Sequence, residues 1–143
     1  YRLGFQASSD HISTHMSYCN IYTEKPTREA LIEALKKRRV YGSTDNILAD
    51  FRSGSHFMGD EFETAEKPAF QVKLVGTAPF ARVQIVKDNQ YVYSTGPNSA
   101  NVEFNWQDNS PTPGKTSYYY VRGEQQDGEL VWVSPMWVKY TGR

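Results

Sequence analysis

Asp10 and His11 stand side by side in Leu3-Gly-Phe-Gln-Ala-Ser-Ser-Asp-His-Ile-Ser-Thr-His15, and a second imidazole, His15, follows within about one loop's length. A carboxylate and imidazoles delivered from the end of a short apolar strand are donors that a divalent metal ion takes in hydrolases. There the metal polarises the bond to be broken or lowers the pKa of bound water. An Asp with one or two His supplies only part of such a shell, so the other donors would have to come from other strands. The plainer reading of Asp10 is an Asx turn closing the strand. His15 could instead orient a ligand or simply sit in a polar loop. Little else in the chain could do chemistry. Ser8, Ser9, Ser13, Thr14 and Ser17 could hydrogen-bond a substrate oxyanion, although hydroxyls of this kind are common in loops. Cys19 has no Cys/His signature around it and reads as a small buried thiol. His56 stands alone and reads as a surface residue of a hairpin. No residue is assigned a catalytic or substrate-binding role.

These side chains need elements to hold them. Arg2 to Ala7 reads as a strand running into the polar loop that begins at Ser8. Thr27 is a suitable N-cap for a helix over Arg28 to Arg39. Its apolar stripe, Ala30, Leu31, Ala34 and Leu35, is expected to be buried. Glu33 can pair with Lys37 one turn on, and the basic run Lys36 to Arg39 complements the helix dipole as a solvated end. From about Asp45 the hydrophobic period changes to two. Asn46–Arg52 with His56–Met58, Ala69–Val75, Arg82–Lys87, Gln90–Ser94, Asn101–Trp106, Ser117–Glu124, Glu129–Val133 and Met136–Tyr140 read as strands. Asp88-Asn89 and Asp127-Gly128 mark tight hairpins between neighbouring strands. Pro135 has no N–H to donate and should sit at an edge or where a strand changes partners. About eight short strands with regular turn signals predict an antiparallel sandwich of immunoglobulin or fibronectin type III character.

Composition narrows the partners. The 143 residues carry 16 basic and 16 acidic side chains, so no charge bias favours nucleic acid or an anionic membrane surface. No apolar run approaches the roughly 18 residues needed to span a bilayer. A single cysteine excludes an internal disulfide. Aromatic residues reach 14%, with ten Tyr. Trp106, Trp132, Trp137, Tyr91, Tyr93 and Tyr118 to Tyr120 could form a stacking platform for sugars or peptides, or fill a sandwich core in the ordinary way. Consecutive Tyr residues cannot share one face of a strand, so at least one of Tyr118, Tyr119 and Tyr120 points away from the others.

The run Thr27-Arg-Glu-Ala-Leu-Ile-Glu-Ala-Leu-Lys-Lys-Arg-Arg-Val-Tyr-Gly-Ser-Thr44 resembles the closing helix of a group of PHP-like metal-dependent hydrolases, of the polymerase and histidinol phosphatase superfamily. Met58-Gly59, Gly76-Thr-Ala-Pro79, Tyr118-Tyr-Tyr-Val-Arg122 and the stretch from Gln126-Asp-Gly-Glu129 to Trp132-Val-Ser-Pro-Met-Trp-Val138 are similar too. The resemblance covers nearly the whole chain. It implies a catalytic α/β barrel with two or three metal ions held by His, Asp and Glu from several strands, most of them preceding Tyr1. Such enzymes place late ligands in an Asp-x-His pattern. Here Ser9-Asp10 matches its start, but the second residue after Asp10 is Ile12, which leaves the choice between His11 and His15 open.

The resemblance therefore predicts the C-terminal segment of a bacterial metallohydrolase acting on a phosphoester or related bond. Residues 1–44 would be a strand-loop-helix segment completing the upstream barrel, and residues 45–143 an accessory β-sandwich. Asp10, with His11 or His15, would be metal ligands for Zn, Mn or Fe in the full-length protein. By itself the chain is expected to hold no metal tightly and to be inactive. Its expected partners are its own upstream barrel, a small phosphorylated substrate and, for the separated chain, another copy of itself. The alternative is a non-catalytic sandwich that binds carbohydrate or protein.

Overall fold

Short apolar-polar alternations and one helical stripe, separated by turn residues, set thirteen elements among the described residues. They are β1 (Tyr18–Ile21), α1 (Arg28–Lys36), β2 (Val40–Ser43), β3 (Leu48–Ser53), β4 (His56–Phe57), β5 (Glu61–Thr64) and β6 (Ala69–Val75). Then follow β7 (Phe80–Lys87), β8 (Gln90–Thr95), β9 (Asn101–Gln107), β10 (Thr116–Gln125), β11 (Leu130–Val133) and β12 (Met136–Tyr140). The structure, a computed structural model, describes residues 1–11, 13 and 15–142. It is mainly β, with two sheets packed face to face.

The smaller sheet is antiparallel, in the order β4-β3-β6-β9. The larger is centred on β10, which pairs with β7 on one side, and β7 pairs in turn with β8. On its other side β10 pairs with β11 and then β12. Between the pairs Arg122↔Trp132 and Tyr119↔Met136, β10 advances three residues while the other strand advances four. The extra residue lies at Ser134-Pro135, so β11 and β12 are one edge broken by a bulge, as the missing N–H of Pro135 requires. Beyond the bulge the outer neighbour changes. β11 carries β2 and then β1, whereas β12 carries β5 in parallel.

Strand alternation decides what each sheet buries. Phe51, Phe70, Val72, Leu74 and Val102 of the smaller sheet meet Val83, Ile85, Tyr119, Val121, Val131, Val133 and Val138 of the larger in one core. Along β10, Ser117, Tyr119, Val121, Gly123 and Gln125 are buried, while Tyr118, Tyr120, Arg122 and Glu124 are only half-buried on the outer face. Asp108, just after β9, ties the sheets together. Its carboxylate accepts from the Tyr119 hydroxyl at 2.6 Å, from Lys87 and from the Ser110 amide at 2.9 Å. The β7–β8 turn forms at Asp88-Asn89 as expected, both residues having positive φ (48° and 66°).

Three expectations are corrected. Residues 2–7 form no strand and join no ladder. They lie as a strap across the outer face of the larger sheet, where the Phe5 amide donates to Ser134 Oγ at 2.7 Å. Hydrogen bonding runs across Thr44, since β2 pairs with β11 and Val40 and Tyr41 are buried. Within α1 only Ala34 is buried, and Leu35 is 46% exposed, because the short helix meets the body along a single narrow line. Finally, Arg38 and Arg39 are not a solvated end. Arg38 Nε donates to Gly59 O at 2.9 Å and its guanidinium lies over Trp137, while Arg39 donates to Met58 O at 3.0 Å and pairs with Asp60 at 2.7 Å. Gly59 permits this contact: it has φ 89°, and a Cβ there would collide with the carbonyls of Lys37 and Arg38.

Candidate functional site

The strap crosses the outer face of the larger sheet and then turns into the loop carrying the candidate ligands. Its seat is made by small residues. A Cβ on Gly42 would lie 3.0 Å from Ala7 Cβ and from Ala7 N, so the strand and the strap touch backbone to backbone. Phe5 packs edge-on against Tyr120, with ring centroids 5.1 Å apart. Arg2 pairs with Glu61 near the start of the strap.

The loop from Ser8 to Ser17 is closed at its neck by one hydroxyl. Ser9 Oγ accepts from the amides of Met16 (3.0 Å) and Ser17 (2.8 Å) and donates to Ser17 O at 3.0 Å. Asp10 takes a left-handed conformation (φ 58°) that Asp tolerates better than most residues. Its Oδ1 accepts from the His11 amide at 2.8 Å and lies 2.9 Å from His11 Nδ1. Both side chains are largely exposed. Asp10 Oδ2 and His11 Nε2 have no partner among the described residues. His15 is exposed as well, and its amide donates to Ser13 Oγ at 3.1 Å. Ile12 and Thr14 lie outside the described residues.

The structure thus brings Asp10 and His11 together and leaves His15 apart from them. Among the described residues no three His, Cys, Asp or Glu side chains converge on a point where a metal could sit. The donors fit the chemistry of a divalent ion, but among the described residues they do not complete a shell. The loop borders an open hollow of about 380 Å³ that Ser8, Ser13 and Cys19 also line. Cys19 is exposed rather than buried, a correction that follows from its place on the edge strand β1. Partial desolvation nonetheless pushes its thiol up from the ordinary value, which works against a nucleophilic role.

The proposed aromatic platform is divided by the sheet. Tyr119 is buried, Trp106 stacks toward Phe70, and Tyr93 packs on Phe104, all on the core side. Tyr118, Tyr120, Trp132 and Trp137 lie on the outer face. Phe5, Gly42, Tyr120 and Trp132 line a hollow of about 440 Å³ beside the strap. His56 is half-buried and stacks flat on Phe62, with ring centroids 3.8 Å apart. The roles of Arg38 and Arg39 were hidden in the sequence because a basic run at a helix end has a sufficient local explanation. Arg and aromatic residues far along the chain were the only available signal.

No family model matches the chain. It is similar to proteins of Chlamydia trachomatis serovar D (31% identical), Chlamydia muridarum (29%) and Chlamydia pneumoniae (32%), each described as uncharacterised. Each match covers 84% of this chain but 21–22% of the relative, so the chain spans about a fifth of their length. Among solved structures it is similar to a fibronectin(III)-like module of Clostridium thermocellum CbhA, at 16% identity and a TM-score of 0.35. That match covers 59% of this chain and 91% of the module.

Proposed function

We propose that the chain is an accessory sandwich of a longer metal-dependent hydrolase of the PHP-like class. In this reading the Ser8–Ser17 loop lends Asp10 and His11 to a metal shell whose other donors lie elsewhere in the polypeptide. The observation that carries the reading is the pairing of Asp10 and His11 at the exposed tip of a loop pinned at its neck by Ser9. Of the two imidazoles, His11 is favoured by its place beside Asp10. Zn, Mn and Fe suit a carboxylate and an imidazole. A phosphoester is the substrate class that the resemblance brings. The immunoglobulin or fibronectin type III character of the sandwich is supported by strand order: β3-β6-β9 faces β8-β7-β10-β11, with consecutive strands exchanged between sheets.

The test uses the complete polypeptide. Asp10→Asn should lower both metal content and hydrolysis of an aryl phosphate while leaving the melting temperature unchanged, since the side chain is exposed. His11→Ala should do the same and His15→Ala should not. Normal metal content and full rate in Asp10→Asn would remove the loop from the active site. The second reading, a non-catalytic module for carbohydrate or protein, is favoured by the hollow between Phe5, Tyr120 and Trp132.

A further inference from the structure

The strap reaches Asp10 through a series of alternate contacts. Phe5, Ala7 and Ser9 are half-buried, whereas Gln6, Ser8 and Asp10 are exposed. Each of the three inward residues has its own hold. The Phe5 amide donates to Ser134 Oγ at 2.7 Å, Ala7 packs on Gly42, and Ser9 Oγ gathers the amides of Met16 and Ser17. A period of two has a strict consequence: a slip of one residue would turn Asp10 inward and Ser9 outward. The register of the strap therefore decides which way the candidate carboxylate faces.

Ser134 is the fixed point of this series, and it is wholly buried. Val131 and Val133 enter the core, so alternation along β11 turns Ser134 to the opposite side, under the strap. The bulge there is held in turn, since the Pro135 carbonyl accepts from the Gly59 amide at 2.9 Å. On the strap side Gly4 lets the two segments close up. A Cβ on it would lie 3.0 Å from Ser134 Oγ and 3.1 Å from Val40 Cγ2. The fit of Ala7 on Gly42 limits how near the strap can come. A directional bond to one particular amide chooses its register.

We propose that Ser134 is a positioning residue for the Asp10–His11 pair: its hydroxyl selects the strap register that turns the pair away from the sandwich. The proposal rests on the metal role given to that pair above, and it makes the sandwich the template along which the ligands are delivered. Groups that orient metal ligands without touching the metal are worth about 10–100-fold in affinity.

Zn²⁺ titration of the metal-stripped complete polypeptide tests the proposal, with hydrogen exchange at the Phe5 amide read on the same samples. Ser134→Ala should speed exchange at Phe5 and weaken Zn²⁺ binding about tenfold or more. Gly4→Val opens the same contact from the strap side and should do the same; it is read in place of Ser134→Ala should that variant not fold. Asp108→Asn, a lesion on the core side of the larger sheet, should leave Zn²⁺ affinity unchanged. Phe5 exchange or Zn²⁺ affinity equal to the parent's in Ser134→Ala would overturn the proposal. So would an equal loss of Zn²⁺ in Asp108→Asn, because the effect would then belong to general stability. Asp10→Asn separates the proposal from the reading beneath it. Zn²⁺ lost in Asp10→Asn but kept in Ser134→Ala defeats the positioning role alone. Zn²⁺ uptake that is the same in Asp10→Asn as in the parent removes the metal role and the proposal with it.

Discussion

The two sheets bury similar inner faces and present opposite outer ones. The β3-β6-β9 sheet alternates strictly, with Phe70, Val72 and Leu74 inside and Gln71 and Lys73 in solvent. The larger sheet departs from that rule. All four residues of β2 are buried, and Val86 and Trp137 are almost covered although they point away from the core. The difference teaches that the larger sheet has two packed sides. One is closed by the other sheet and the other is closed in part by the strap.

The largest effect expected is from removing residues 1–44. That deletion takes Tyr41 out of the core, leaves β11 without its outer neighbour β2 and uncovers the outer face. A Tyr41-sized loss alone costs about 3–5 kcal/mol, so urea denaturation of residues 45–143 should show no cooperative transition. A sharp transition near that of the whole chain would make the two sides equivalent after all. Next, Gly42→Val should cost about 1–3 kcal/mol by forcing the strap from its seat, read as a lowered urea midpoint.

A cross-sheet tie comes third. Burial alone would raise the Asp108 carboxyl, but the hydrogen bonds from Lys87, Tyr119 and Ser110 outweigh it and hold the group below its ordinary value. A depressed carboxylate contributes stability above its unfolded value and loses it as pH falls through the folded one. Asp108→Asn should therefore destabilise by about 1–3 kcal/mol at neutral pH. Its melting temperature should converge with that of the parent as the pH drops below the ordinary carboxylate range. A gap that persists in acid would assign the effect to packing. The smallest effects belong to exposed positions. Leu35→Ala should cost under about 1 kcal/mol and Lys73→Ala stay within about 0.5 kcal/mol, both by urea titration.

Much of the fold was legible in the sequence. Ala69–Val75 and Met136–Tyr140 form as read, because strict alternation and flanking turn residues leave one register that hides the apolar face. Asp88-Asn89 and Asp127-Gly128 announced their hairpins by their tolerance of positive φ. β1, β2 and β5 were not visible, being four-residue strands whose identity rests on partners distant in the chain. The strap reads as a strand because Leu3 and Phe5 alternate, and nothing local says that it crosses a sheet instead of joining one. At the candidate site, the nearness of Asp10 and His11 follows from adjacency, whereas the pinning of the loop by Ser9 required the return of Met16 and Ser17.

The pairing of β2 with β11 also fixes an order in time. Ser43 meets Val131, and the Phe5 amide meets a hydroxyl 129 residues further on. Translation at about 5–20 residues per second separates such partners by roughly 5–25 seconds. The strap and β2 leave the ribosome before β11 and are secured only when the β10–β11 hairpin emerges. Until then Phe5, Val40 and Tyr41 are open to solvent, to chaperones and to neighbouring chains. Assembly of the face that carries Asp10 and His11 therefore waits for the β10–β11 hairpin.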